Sequence, residues 1–306
     1  MIRFGIAGIP LSCKGRTIVE GIKDTANLGK RETGKGLEIM EIEILRPGEG
    51  IDDSEEIKRA AKKHKVTLFV HAPYYINLGL DKRDAEKDIE VLQESAVLAK
   101  AVNAELLIVH LGMYGKDKKE SLKRVIKSMR ILRNFVRSKC KGVKIAVETS
   151  GKQSLIGSLE EVIEICRKAG VVPLINFAHI HARTNGGLKE KDDFAAIFEK
   201  LRPLRLRKYY THFSGVTYES GEELDLTPLK KSDFKFEPLA EQLIEKKYDI
   251  SIISSSPLLE HDAINMKIIL ERVKEKLKKR AKPKPTVKVK PKKKVKLKKK
   301  LKKRKR

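Results

Sequence analysis

The chain alternates between two periodicities. Short apolar, β-branched runs are each followed by a turn, and then by a longer stretch with apolar residues at helical spacing. Eight runs read as strands, at residues 3–9, 37–45, 68–72, 106–111, 144–149, 172–177, 208–213 and 251–255. Among the intervening helical patterns, AEKDIEVLQESAVLAKAV sets Ile89, Leu92, Ala96 and Ala99 on one face. Ser121 and Ser158 have the chemistry of N-caps, the latter with Glu161 completing a capping box, and Gly170 stops its helix. Strictly alternating strands and helices give a parallel sheet, and eight such units close into a (β/α)8 TIM barrel. An open doubly wound sheet is the competitor, but GIAGIPLSCKG after the first strand lacks its Gly-rich phosphate turn.

A barrel explains 306 residues and an apolar fraction of 40% as one large unit, assigned to residues 1–277. The remainder changes character. Of the 68 basic residues, 19 lie in 278–306 with no acid among them, so this segment carries most of the net charge of +27. Like charges repel, and Pro283, Pro285 and Pro291 interrupt any helix, so a disordered Lys-rich tail is predicted. Its phosphate-neutralising potential lies in runs such as Lys292, Lys293, Lys294 and Lys298, Lys299, Lys300. Lysines of this density bind nucleic acid without sequence preference by releasing counterions; only scattered Val and Leu and no aromatic accompany them, which disfavours a membrane surface. Cys13, Cys140 and Cys166 are odd in number and unpaired in spacing, which fits buried thiols in a reducing compartment. With no apolar run long enough to span a bilayer and no signal-like N-terminus, the expectation is a cytoplasmic, monomeric protein.

The candidate chemistry sits where strands stop. The segments LFVHAPYYINL, LLIVHLG, KIAVETSG, LINFAHIHAR and YYTHFSG place His71, His110, Glu148, His179 and His212 at the ends of five successive predicted strands. In a parallel barrel those ends share one face, so residues distant in sequence converge. Imidazole and carboxylate donors suit Zn2+, with Mn2+ as an alternative. His64, in a Lys-rich helix, His181, just past the sixth strand, and His261, in the LLEHDA turn, read as bystanders.

VHAPYYINL, the His-Leu-Gly of the fourth strand, VETSG, NFAHIHA and THFSG resemble endonuclease IV, the barrel-type apurinic/apyrimidinic endonuclease, over about residues 1–275. The opening RFGIAGIPLS and the strand LEIMEIEILR are similar to its archaeal branch. The resemblance implies a zinc cluster that hydrolyses the phosphodiester 5′ of an abasic nucleotide in DNA. His71, His110 and the catalytic Glu148 would hold the first metal, Glu148 would bridge to the second with His212, and His179 would join the third. Tyr74 and Tyr75 fall where the family inserts side chains at the flipped-out site. The chain departs from that pattern at Asn176, where an Asp is expected, at Ser255, where a Glu is expected, and after the seventh strand, where Asp225 is the nearest substitute for a missing His. Only the first ligand set is complete, so between one and three metals are expected. Two further readings stay open: a nucleic-acid-binding relative without catalysis, and a sugar isomerase or epimerase. The usual Glu-Asp-His-Glu quartet of such isomerases would read Glu148, Asn176, His212 and Ser255 here.

Overall fold

The structure, a computed structural model, describes residues 1–45, 53–80 and 82–281. Seven strands follow one another as β1 (Ile2–Ala7), β2 (Ile39–Glu43), β3 (Thr67–His71), β4 (Leu106–Val109), β5 (Lys144–Glu148), β6 (Val172–Asn176) and β7 (Tyr209–Phe213). A hairpin, β8 (Gly215–Glu219) and β9 (Glu222–Thr227), precedes the last barrel strand, β10 (Ile250–Ser254). Every barrel pairing is parallel, and β1 closes the sheet by pairing with both β2 and β10. Closure demands a glycine at one point: a Cβ on Gly5 would run into the backbone carbonyl of Ile39. The expected (β/α)8 barrel is the observed fold.

The outer layer comprises α1 (Ile18–Thr25), α2 (Lys30–Thr33), α3 (Ser54–His64), α4 (Lys82–Ala101), α5 (Lys118–Lys139) and α6 (Leu159–Ala169). It continues through α7 (Phe177–Arg183), α8 (Lys191–Leu201), α9 (Glu237–Lys246) and α10 (Glu260–Ala281). Their apolar faces cover the outside of the sheet, while Ile39, Phe69, Leu106, Ile108, Leu174 and Ile253 fill its inside. The barrel is therefore a packed core, not a pore. No helix among the described residues is long and apolar enough to cross a membrane. All three cysteines are buried and free, as expected.

Local expectations were met unevenly. Ser158 and Glu161 form the predicted capping box, and Gly170 closes α6 in the left-handed region at φ 72°. Ser121 is not a cap. Asp117 caps α5 four residues earlier, because its carboxylate accepts from both Lys119 and Glu120 N–H, and the Ser121 hydroxyl turns back to the Asp117 carbonyl. His261 lies in α10 rather than a turn. That helix also runs four residues into the segment assigned to the tail. Lys278, Lys279 and Arg280 favour the negative end of the helix dipole, and Pro283 disfavours helix only from Lys282 onward. The rest of the tail, including Lys292–Lys294 and Lys298–Lys300, lies outside the described residues.

Candidate metal centre

A pocket of about 620 Å³ opens at the C-terminal ends of the barrel strands. Backbone register brings its residues together. His71 ends β3 opposite Glu43 of β2, Glu148 ends β5 opposite Leu174, and Asn176 ends β6 opposite His212 of β7. His110 follows β4 directly, and His179 swings back over the mouth from the first turn of α7. All five predicted ligand residues line this one pocket.

Two imidazoles converge on one carboxylate oxygen. His71 Nε2 lies 3.2 Å and His110 Nε2 3.0 Å from Glu148 Oε2. His71 donates its Nδ1–H to the Ala72 carbonyl at 2.7 Å, which fixes the ring and aims Nε2 inward. Burial pushes the His110 pKa down, so the ring is neutral at neutral pH, with Nε2 turned to the Glu148 carboxylate. Burial alone would raise the Glu148 pKa, but His212 and His110 outweigh it and keep the carboxyl ionised, well below the usual range. Burial pulls the His71 pKa down, but Glu148 and Glu41 outweigh it and push it up, so in the metal-free chain its Nε2–H bonds Glu148 Oε2, a proton that a cation bound between the two rings and the carboxylate would displace. Their donor atoms lie within 4.8 Å of one another, and this is the one such three-residue group among the described residues. Two His and one carboxylate with an open side are the donor set of hydrolytic zinc centres, so the residues present fit a metal.

The other half of the pocket is satisfied differently. His212 donates Nδ1–H to Glu148 Oε1 at 3.1 Å and Nε2–H to Glu41 Oε2 at 2.9 Å. Burial pulls its pKa down, yet the two carboxylates win and push it up to about 10, so the ring is an imidazolium. Asn176 donates Nδ2–H to the same Glu148 Oε1 at 2.9 Å. Its Oδ1 caps α7 by accepting from Ala178 and His179 N–H, which leaves no amide oxygen facing the pocket. In this arrangement His212 and Asn176 offer protons where the second metal implied by the resemblance would need lone pairs. Ser255 is in the pocket, its hydroxyl buried and without a partner.

His179 donates Nδ1–H to the Thr149 carbonyl at 2.6 Å and turns Nε2 toward Glu223 Oε2 at 3.3 Å. Glu223, not Asp225, is the hairpin's contribution. Asp225 is exposed and faces Thr217 across the hairpin, so its expected place in the site does not hold. Glu41, fully buried on β2, and Glu223 were not anticipated. Both left signals: Glu41 is an acid inside the apolar run LEIMEIEILR, and Ser220–Gly221 is a two-residue turn between alternating segments. Its two residues have φ of 52° and 79°, the left-handed pair that a type I′ hairpin requires.

Tyr74 stacks on His71 with ring centroids 4.5 Å apart, meets His110 edge-on, and donates its hydroxyl to Glu43 at 3.2 Å. Tyr75 is exposed beside it. Leu11, Leu45, Met113 and Leu258, also exposed, follow other strands at the same end, and Leu224 protrudes from the hairpin. The pocket thus has an acidic, histidine-rich floor and an apolar rim. Of the predicted bystanders, His181 is wholly buried, stacked on Phe234 and within 3.4 Å of Asp233, and His64 is half-exposed on α3.

A parallel eight-stranded barrel with a metal-ligand pocket at its strand ends defines a broad class of barrel enzymes. The profile of the xylose isomerase-like TIM barrel family matches residues 35–260, and the chain belongs to that family. An uncharacterized protein of Methanocaldococcus jannaschii is 30% identical over 276 residues, covering 86% of this chain and 95% of its own. A probable endonuclease 4 of Latilactobacillus sakei subsp. sakei is 28% identical over 150 residues, covering 46% of this chain and 48% of its own. A D-tagatose 3-epimerase-like protein of known structure superposes with a TM-score of 0.66 at 18% identity, over 91% of this chain and 99% of its own. At that identity the likeness shows the fold alone.

Proposed function

We propose that this protein is a single-metal phosphodiesterase of endonuclease IV type, acting at abasic sites in DNA. The observation that carries the reading is the convergence of His71, His110 and Glu148 beneath the exposed Tyr74 and Tyr75. The partial likeness to a probable endonuclease 4 supports it. A bound Zn2+ or Mn2+ would supply Lewis acidity toward a phosphate oxygen and an activated water. His71, His110 and Glu148 would hold it. His212 and Asn176, through their bonds to Oε1, orient Glu148 so that Oε2 faces the two imidazoles. Tyr75 and the apolar rim would fill the gap left by an extruded nucleotide, and Tyr74 would cover the ligand rings. A sugar isomerase is disfavoured, because Asn176 and Ser255 replace two of the four charged groups that chemistry uses.

A second reading, a DNA-binding relative without turnover, is favoured by one specific feature: protons on His212 and Asn176 fill the half of the pocket where a second metal would bind. Incision of a duplex carrying one abasic site, with and without chelator, separates the two. The nuclease reading expects metal-dependent cleavage 5′ of the lesion that His110→Ala abolishes. Tight abasic-site binding with no incision at any metal concentration would establish the binding protein instead.

A further inference from the structure

The two ends of the barrel carry opposite charge, and the end away from the metal pocket is the basic one. Helices α3, α5, α6, α8, α9 and α10 each have acidic residues in the first turn. Those six, together with α4, end in Lys or Arg. Helix dipoles favour that order, but in a barrel it stacks these helix C-termini on one face. The loops of that face add exposed cations beyond the helices, at Lys65, Lys141, Arg205 and Arg207. A cleft of about 740 Å³ runs there between Lys58, Lys62, Lys65, Asn103 and Gly142.

Two acids at this end are already paired. Glu105 accepts from Lys208 at 2.8 Å and from Tyr210 at 2.6 Å, with Arg3 at 3.6 Å and Lys144 at 3.5 Å, so three cations surround one carboxylate inside the barrel. Asp249 lies 3.7 Å from the N-terminal ammonium. The end of α10 lies on the same face, since Leu277 and Lys278 share a groove with Met1, Lys247 and Tyr248 at the strand starts.

We propose that the N-terminal face of the barrel is a nucleic-acid-binding surface, separate from the metal pocket at the opposite end. A broad cationic face suits a phosphate backbone, which is recognised by charge without sequence. Met1 is the one exposed large apolar side chain at the strand starts among the described residues, whereas the metal face carries a rim of them. An anionic membrane, which rewards apolar insertion, fits this face less well. The surface needs no catalysis in the pocket, so the inference stands apart from the proposed activity.

The test reverses Lys62, Lys141, Arg207 and Lys279 together to Glu in the full chain. Affinity for an undamaged DNA duplex is then measured by fluorescence anisotropy across a salt series. Each phosphate contact contributes about 0.9 to the slope of log affinity against log salt, so the slope should flatten by up to about 3.6. Affinity at low salt should fall more than tenfold, with metal content and thermal midpoint unchanged. A control reverses Arg59, Lys87, Lys123 and Lys127 to Glu on the outer helical belt and should leave most of the slope. An unchanged slope in the first variant, or an equal loss in the control, overturns the proposal. So does retained duplex binding with lost binding to vesicles containing phosphatidylserine, which would make the partner a membrane. Should the Glu variant misfold, the same four positions changed to Gln give the same comparison with a smaller expected loss.

Discussion

The two halves of the pocket solve the same electrostatic problem with different cations. Glu148 is buried and ionised, and each of its oxygens must be compensated. On the Oε2 side His71 and His110 form, with the carboxylate, the one three-residue donor group among the described residues that could hold a metal ion. On the Oε1 side the compensation is protonic, from the His212 imidazolium and the Asn176 amide. Changing one carboxylate to an amide, as at Asn176, turns an acceptor that invites a cation into a donor that replaces one. The difference teaches that one buried carboxylate can be held on one side by fixed protein donors while its other side keeps a complete ligand set for a single ion.

Removing the metal half should have the largest effect. His110→Ala deletes one of three donors, so metal affinity should fall by more than the roughly 10–100-fold that changes to outer-shell groups cost. The thermal midpoint of the chelated protein should barely move, since His110 faces the pocket and belongs to none of the hydrophobic clusters. Equilibrium dialysis with elemental analysis measures the first effect and calorimetry the second. Undiminished metal content would place the ion elsewhere.

Restoring the protonic half is the converse experiment. Asn176→Asp with Ser255→Glu returns two anionic donors to the pocket, and the Ser255 hydroxyl, buried and unpartnered, marks where the second would enter. The double variant should take up an additional equivalent of metal, and abasic-site incision should rise with it. A variant that folds but gains neither would mean that Glu41 holds His212 as an imidazolium too firmly to yield.

A smaller effect concerns pH. The folded pKa of His212, about 10, lies above the ordinary 6.5. Its contribution to the stability of the metal-free protein is therefore full below about pH 6.5 and is lost as pH rises through 10. The denaturant midpoint in chelator should fall across that window, and Glu41→Gln should flatten the fall. A midpoint that rises from pH 7 to 10 would show that His212 is neutral.

Much of this was legible in the sequence. Strand ends are marked by apolar runs that stop at His or Glu, and backbone period alone fixes that His71, Glu148 and His212 share a face. What escaped was direction and pairing. The fate of Asn176 depends on which amide atom caps α7, and that of His212 depends on Glu41, far away in sequence. Neither is a local property. Asp225 and Glu223 lie two residues apart on one hairpin strand, with the register shift at Thr217/Tyr218 between them, and it is Glu223 that reaches His179.

The most direct test of the account is the number of tightly bound metal ions in the wild-type chain, counted by elemental analysis after dialysis against dilute Zn2+ and then metal-free buffer. One equivalent, lost in His110→Ala, is the predicted result. Two or three equivalents in the wild type would contradict it, because His212 and Asn176 would then have to surrender their protons to metal.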